Sequence, residues 1–213
     1  MSANLVPLDT FIAGFAASPL AGRGPSVPWE LTQQSEAVVR HLLDTLADAE
    51  FIISGEVAVH VTAIVEAGAT IKGPLILGAR CFVASGAYLR GGNWLAEGCT
   101  LGPGSELKSS FVFPGTVLAH FNFVGDSILG AGVNLEAGSI ICNHRNERAN
   151  NEIYVRTGGA LQPTGCHKFG AVVGDRCRIG ANAVLAPGAL LPPWSIVPRA
   201  SLRDDELSAD EAP

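Results

Sequence analysis

From Ile53 every sixth residue is large and apolar: Ile53, Val59, Val65, Ile71, Leu77, Val83, Leu89, Leu95, Leu101, Leu107 and Phe113. A helix repeats at 3.6 residues and a strand at 2, so neither element alone gives a period of six. A short strand closed by a tight turn does. Four residues after most of these positions stands something small (Ala63, Ala69, Cys81, Ala87, Cys99, Ser105), and Gly68, Gly86, Gly92, Gly98 and Gly104 fall between. The frame slips after Phe113 and returns at Phe123, Leu129, Leu135 and Ile141, then at Val173, Ile179, Leu185, Leu191 and Val197. This pattern predicts an all-β chain, a parallel β-helix of hexapeptide repeats in which three hexads make one triangular coil. Counting hexads gives about six coils, each supported only by its neighbours.

The flanks follow other rules. In "VPWELTQQSEAVVRHLLDTLAD", Pro28 suits a first helical turn, and Trp29, Val39, Leu42, Leu43 and Leu46 are helically spaced. We expect residues 1–50 to form an extended segment and one amphipathic helix that caps the open end of the first coil. The β-helix should occupy residues 51–200, interrupted by an insertion at 144–168, "HRNERANNEIYVRTGGALQPTGCHK", that carries no hexad. Residues 201–213 read as an acidic, disordered tail.

Of the 213 residues, 47% are hydrophobic and 16% charged, which favours a large core over disorder. The net charge is -6, but Asp204, Asp205, Glu206, Asp210 and Glu211 crowd the last ten residues and leave the body near neutral. Nucleic-acid binding therefore has no electrostatic support. The apolar stretch "FIAGFAASPLAG" is too short to span a bilayer and has no basic segment before it, and five cysteines is an odd number. We expect a reduced, cytoplasmic protein without membrane contact.

Lys72, Arg90 and Lys108 are eighteen residues apart and should stack at one height on the outside of successive coils. The column reads either as solvated surface or as an anion site. Arg145, Arg148, Arg156 and Lys168 in the insertion, against only Glu147 and Glu152, favour an anion nearby. Cys81, Cys99 and Cys177 occupy the small corner position and read as core. Cys142, His144, Cys166 and His167 match no common zinc spacing. His120 sits at the frame break, with Glu106 fourteen residues earlier and placed to orient it. An imidazole is suited to taking a proton from an attacking amine or hydroxyl near neutral pH.

The stretch "AHFNFVGDSILGAGVNLEAGSIICN" resembles the acetyltransferase half of the bifunctional uridylyltransferase/acetyltransferase that makes UDP-N-acetylglucosamine. That family carries H-x-x-Y-x-G-D, then N-[IL]-G-A-G-T-I, then N-Y-D-G at the same spacing. The resemblance runs without gaps from Arg90 to Asn143 and more loosely to Pro198. It implies a left-handed winding, a homotrimer with the active site between subunits, and acetyl-CoA or another acyl-CoA as co-substrate, with no metal. It implies His120 as catalytic base with Glu106 beside it. Arg90, Lys108, Phe123, Asn134 and Asn143 would bind substrate, and Ala137 would contact the cofactor.

The departures bear on the acceptor. Phe123 stands where the family has a tyrosine, Glu136 replaces a glycine, and Asn143 is followed by His144-Arg145-Asn146. No nucleotide-binding loop of the uridylyltransferase half is present. The expectation is an acyltransferase acting on an amino sugar phosphate or nucleotide sugar. A non-catalytic trimeric scaffold or sugar-phosphate-sensing module is the alternative. A zinc-dependent carbonic anhydrase on this coil would need three histidines around a shared metal, and His60, His144 and His167 do not recur at coil spacing.

Overall fold

The computed structural model describes residues 6–22, 27–46 and 48–207. Three parallel sheets form the sides of a prism. Face A holds Val57–His60, Leu75–Leu77, Asn93–Leu95, Phe111–Val112, Ile128–Leu129, Ala171–Val173 and Ala189–Leu191, with Phe51–Ser54 added antiparallel at its edge. Face B holds Ile64–Val65, Phe82–Val83, Thr100–Leu101, Val117–Leu118, Asn134–Leu135, Arg178–Ile179 and Ile196–Val197. Face C holds Thr70–Ile71, Tyr88–Arg90, Glu106–Lys108, Phe123–Gly125, Ile140–Ile141, Val184–Leu185 and Leu202–Arg203. Seven coils result, one more than the hexad count suggested.

The inward positions stack in three apolar columns. On face A these are Val59, Leu77, Leu95, Val112, Leu129, Val173 and Leu191. Cys81, Cys99 and Cys177 are buried at inner corners, as packing requires. The face C column ends at Arg203, in register with Leu185 and paired with Asp205, so the last coil turns a charge rather than an aliphatic toward solvent.

Face A is buried on both sides, which explains its continuous apolar runs such as "LIL" and "AVV". A second core lies outside it. Ile76, Trp94, Phe111, Ile128, Val172 and Leu190 are covered by Val6, Leu8, Ile12, Leu20, Trp29, Leu31, Val38, Val39 and Leu42. Two features differ from the sequence reading. Residues 6–22 are not extended but contain two 3-10 turns, Leu8–Thr10 and Phe15–Ala17. The single helix is two, α1 (Pro28–Gln33) and α2 (Ser35–Asp44), and α2 lies on the flank of face A rather than over the first coil's open end. Ser35 draws α2 inward by donating to the Gly91 carbonyl at 2.9 Å. Gly92 permits the approach, because a Cβ there would lie 2.5 Å from the Glu36 nitrogen. The first coil is left open, with Ile64 and Val65 exposed.

The insertion and the acidic segment explain each other. Arg145 is buried and donates through Nη1 and Nη2 to both Asp204 oxygens, each at 2.7 Å, and through Nη2 to the Pro187 carbonyl at 3.1 Å. Arg148 pairs with Glu206 at 2.7 Å, and Arg156 donates to the Asp205 carbonyl at 2.7 Å. Residues 202–207 are therefore a structured clasp over the insertion rather than a frayed tail, and residues 208–213 lie outside the described residues. Among the described residues Arg145 and Arg148 are neutralised by carboxylates, and Arg156 is held by the carbonyls of Asp205, Gly159 and Glu206, so the expected anion is replaced for two of the three by the chain's own acids. Within it, Tyr154–Thr157 and Ala160–Pro163 make an antiparallel hairpin. Faces B and C remain open.

Candidate functional site

The register of face C gathers most of the expected site residues. Tyr88, Glu106 and Phe123 form one outward row, and Arg90, Lys108 and Gly125 the next. The cation column exists, but acids compensate it. Arg90 places Nε and Nη2 at 2.8 and 2.7 Å from one Glu106 oxygen. Lys108 donates to both Asp126 oxygens at 2.9 and 2.7 Å, with side chains only 15% and 6% exposed. The Asn143 amide donates to the same carboxylate. Lys72 makes no ion pair among the described residues, and its ammonium lies 5.2 Å from the centre of the Tyr88 ring. Three stacked cations are tolerable because two carry their own counter-charge. The row is left with one uncompensated positive charge.

His120 sits on the corner between faces B and C, exposed, and its side chain makes no hydrogen bond among the described residues. Its carbonyl accepts from Gly138 on the next coil at 2.9 Å. Glu106 does not orient it: that carboxylate is taken by Arg90. Coil length is the reason. Phe123, not His120, is in register with Glu106, and the His120 corner stacks over Pro103, whose carbonyl accepts from the Phe121 amide.

The frame break is also elsewhere. Val112, Leu118 and Val124 are the inward residues and run in unbroken sixes past His120. Phe113 belongs to the outer core, its ring 5.4 Å from that of Trp94, and Phe123 faces outward, half-buried. The slip occurs at the corner between faces C and A, where Gly91-Gly92-Asn93 is followed by Ser109-Ser110 and then Asp126-Ser127. Those coils are seventeen residues long, and Ser109 and Asp126 take left-handed φ values of 49° and 47°. Asn93, fully buried, ties the corner by accepting from the Ser110 amide at 3.0 Å and donating to the Arg90 carbonyl at 2.9 Å. The shortening sets Asp126 beside Lys108.

Ala137 lies exposed in the corner one coil beyond His120. Asn134 stands on face B, at a cleft of about 520 Å³ also lined by Glu136, Arg178, Ile196 and Arg199. There the Arg199 guanidinium, 2.7 Å away, holds the Glu136 carboxyl below the usual carboxylate range. Arg90, Glu106, Lys108, Phe123 and Asn143 thus share one face, His120 and Ala137 share its edge, and Asn134 lies round that edge. Two further residues organise the group. Asp126 joins Lys108 to Asn143. Asn122, 2% exposed, donates to the Glu136 carbonyl at 2.8 Å and to Ser139 Oγ at 2.9 Å, and so fixes the corner that carries His120. Asp126 was visible as the last residue of V-G-D; Asn122 had no signal beyond being polar at a regular corner.

Comparison with known proteins agrees with this architecture. No family model matches the chain. A bifunctional sugar-1-phosphate nucleotidylyltransferase/acetyltransferase of Sulfurisphaera tokodaii is 32% identical over 105 residues, 49% of this chain and 26% of that protein. An uncharacterized acetyltransferase, YaiX, of Escherichia coli O6:K15:H31 is 31% identical over 140 residues, 66% of this chain and 60% of its own length. A crystal structure of a Bacillus cereus protein described as an acetyltransferase superposes with a TM-score of 0.51 over 70% of this chain and 80% of that one, at 13% identity. The chain is a hexapeptide-repeat β-helix resembling the acetyltransferases of that fold. It spans about a quarter of the length of the bifunctional relative. Among the described residues no three His, Cys, Asp or Glu side chains gather as a metal site, and no helix is long and apolar enough to cross a membrane.

Proposed function

We propose that this protein transfers an acyl group, acetyl in the first instance, from an acyl-CoA to an amine or hydroxyl of a sugar phosphate or nucleotide sugar. The observation that carries the reading is the convergence at one prism edge. An exposed imidazole, His120, whose side chain has no hydrogen-bond partner among the described residues, stands on a corner anchored by Asn122, beside a face bearing Arg90, Lys108, Phe123 and Asn143. His120 removes the proton as the acceptor attacks the thioester carbonyl. The carbon–sulfur bond then breaks, and the imidazolium returns its proton to the departing thiolate. Arg90 and Lys72 attract the acceptor phosphate, while Lys108 holds Asp126 and through it Asn143. Glu106 acts on Arg90, fixing its guanidinium in the row. Ala137, on the same edge as His120, contacts the acyl-CoA arm, and Asn134, round that edge on face B, contacts the substrate. Faces B and C, both uncovered, supply the surfaces for a trimer in which a second subunit closes the site.

The commitment of Glu106 to Arg90, together with phenylalanine at 123, favours a second reading: a sugar-phosphate-sensing module without chemistry. One assay separates them. Free thiol released from acetyl-CoA is followed against a panel of amino sugar phosphates. Release dependent on the acceptor supports transfer. Sugar-phosphate binding without release, across acetyl-, propionyl- and longer acyl-CoAs, would leave only the sensor.

A further inference from the structure

We propose that Phe121 is the platform on which the acceptor's sugar ring lies, a specificity-determining contact that deepens the acyl-transfer reading and rests on it. Phe121 follows His120 directly, is 71% exposed, and takes a left-handed φ of 51°. The equivalent corner positions on the other coils are Gly68, Gly86, Gly104, Gly138, Asn182 and Ala200. A side chain with a Cβ resists this conformation, and a large aromatic one adds nothing to the turn. It adds nothing to the core either, since Leu118 and Val124 fill the interior here. Packing and turn formation thus both fail to explain the ring.

Its surroundings suit a flat ligand. The ring lies along the corner over Gly104; a Cβ on that glycine would lie 2.5 Å from Phe121 Cδ1. Glycine beneath lets the ring lie down against the backbone instead of standing into solvent. Asn122, buried and bonded to the next coil, fixes the direction of the preceding peptide. Phe121 is four residues from Gly125, whose row carries Arg90 and Lys108. Four extended residues span about 13 Å. With side chains reaching in from both ends, that is the scale of one monosaccharide and its phosphate. A phenyl face offers no hydrogen bond, so it reads the apolar C–H face of a sugar ring while His120 beside it addresses the reacting amine or hydroxyl.

The test is calorimetric titration of wild type, Phe121→Asn and Phe121→Tyr with two probes: glucosamine 1-phosphate, and 2-aminoethyl phosphate, which has the amine and phosphate but no ring. Asparagine suits the backbone, as Asn182 shows at the same corner. Phe121→Asn should bind the sugar phosphate five- to tenfold more weakly and aminoethyl phosphate within twofold of wild type, with oligomer size and thermal midpoint preserved. Phe121→Tyr should keep the sugar-phosphate affinity. Equal sugar-phosphate affinity in wild type and Phe121→Asn would overturn the platform, as would equal weakening toward both probes or a change of oligomer size. A wild type that binds no sugar phosphate would overturn the platform and the function together. Sugar-phosphate binding that depends on Phe121, with no thiol release traceable to His120, would support the platform and refute catalysis alone.

Discussion

Replacing Arg145 by methionine should destabilise the fold by about 3–5 kcal/mol, the usual cost of leaving a buried charge unpaired. The arginine is 5% exposed and its partners Asp204 and Glu206 have side chains 8% and 9% exposed, so solvent cannot replace it. Five contacts go at once: two to Asp204 at 2.7 Å, one to the Pro187 carbonyl, one from Nη1 to Glu147 at 3.3 Å, and the 3.3 Å approach of Nε to Glu206. For a chain of this size each kcal/mol lowers the midpoint by about 2–4 °C, so a fall of roughly 10 °C is expected. Urea unfolding followed by circular dichroism at pH 7 gives the free energy. The pH dependence gives a second check. Burial pushes the Asp204 carboxyl up, but hydrogen bonding and charge from Arg145 outweigh it, and the net value lies below the usual carboxylate range. A lowered folded pKa gives stability that is present above the unfolded value, about 3.9, and is lost as pH falls through the folded one. The gap between wild type and Arg145→Met should therefore narrow below about pH 4. A loss under about 1 kcal/mol, or a gap that stays constant from pH 7 to pH 3, would refute the buried clasp.

Lys108→Gln should cost about 3 kcal/mol in urea unfolding by stranding Asp126, whereas Arg90→Gln, on a more exposed pair, should cost less than about 1 kcal/mol. If Arg90 meets the acceptor phosphate, Arg90→Gln should nevertheless weaken sugar-phosphate binding by about 1.5–3 kcal/mol, and unchanged calorimetric affinity would remove it from the site. Asn93→Ala should lose about 2–3 kcal/mol because the Ser110 amide is left buried without an acceptor; a neutral effect would mean the shortened corner holds itself. Light scattering should report a particle near three times 22.1 kDa, and a stable monomer at micromolar concentration would remove the shared cleft.

The prism was legible because its interior tolerates little but Leu, Ile and Val, so the hexad survives in the letters from Val59 to Val197. The coil lengths were not. Phe113 and Phe123 are apolar and six-spaced from true members, yet one belongs to the outer core and the other to the open face. A single-residue shortening at Ser109-Ser110 leaves no mark that hydrophobicity can show, and it moved the apparent break to His120. The acidic terminus misled for a related reason. Asp204 and Glu206 resemble solvated charge until Arg145 and Arg148, nearly sixty residues earlier, are brought against them. On face C, eighteen-residue spacing sufficed to stack Lys108 over Arg90. Partner choice did not follow from spacing: Glu106 lies in register with Tyr88 and Phe123 rather than His120, and its carboxylate is taken by Arg90.

The most direct test of the account is acyl transfer by wild type and His120→Ala under one saturating acyl-CoA and the acceptor found in the panel. His120 is exposed and makes no side-chain hydrogen bond among the described residues, so the variant should keep its fold, thermal midpoint and oligomer size. Its rate of thiol release should fall on the order of 10²–10⁴-fold, the contribution expected of a general base. Equal rates in the two proteins would contradict the account and leave the prism edge without a catalytic base.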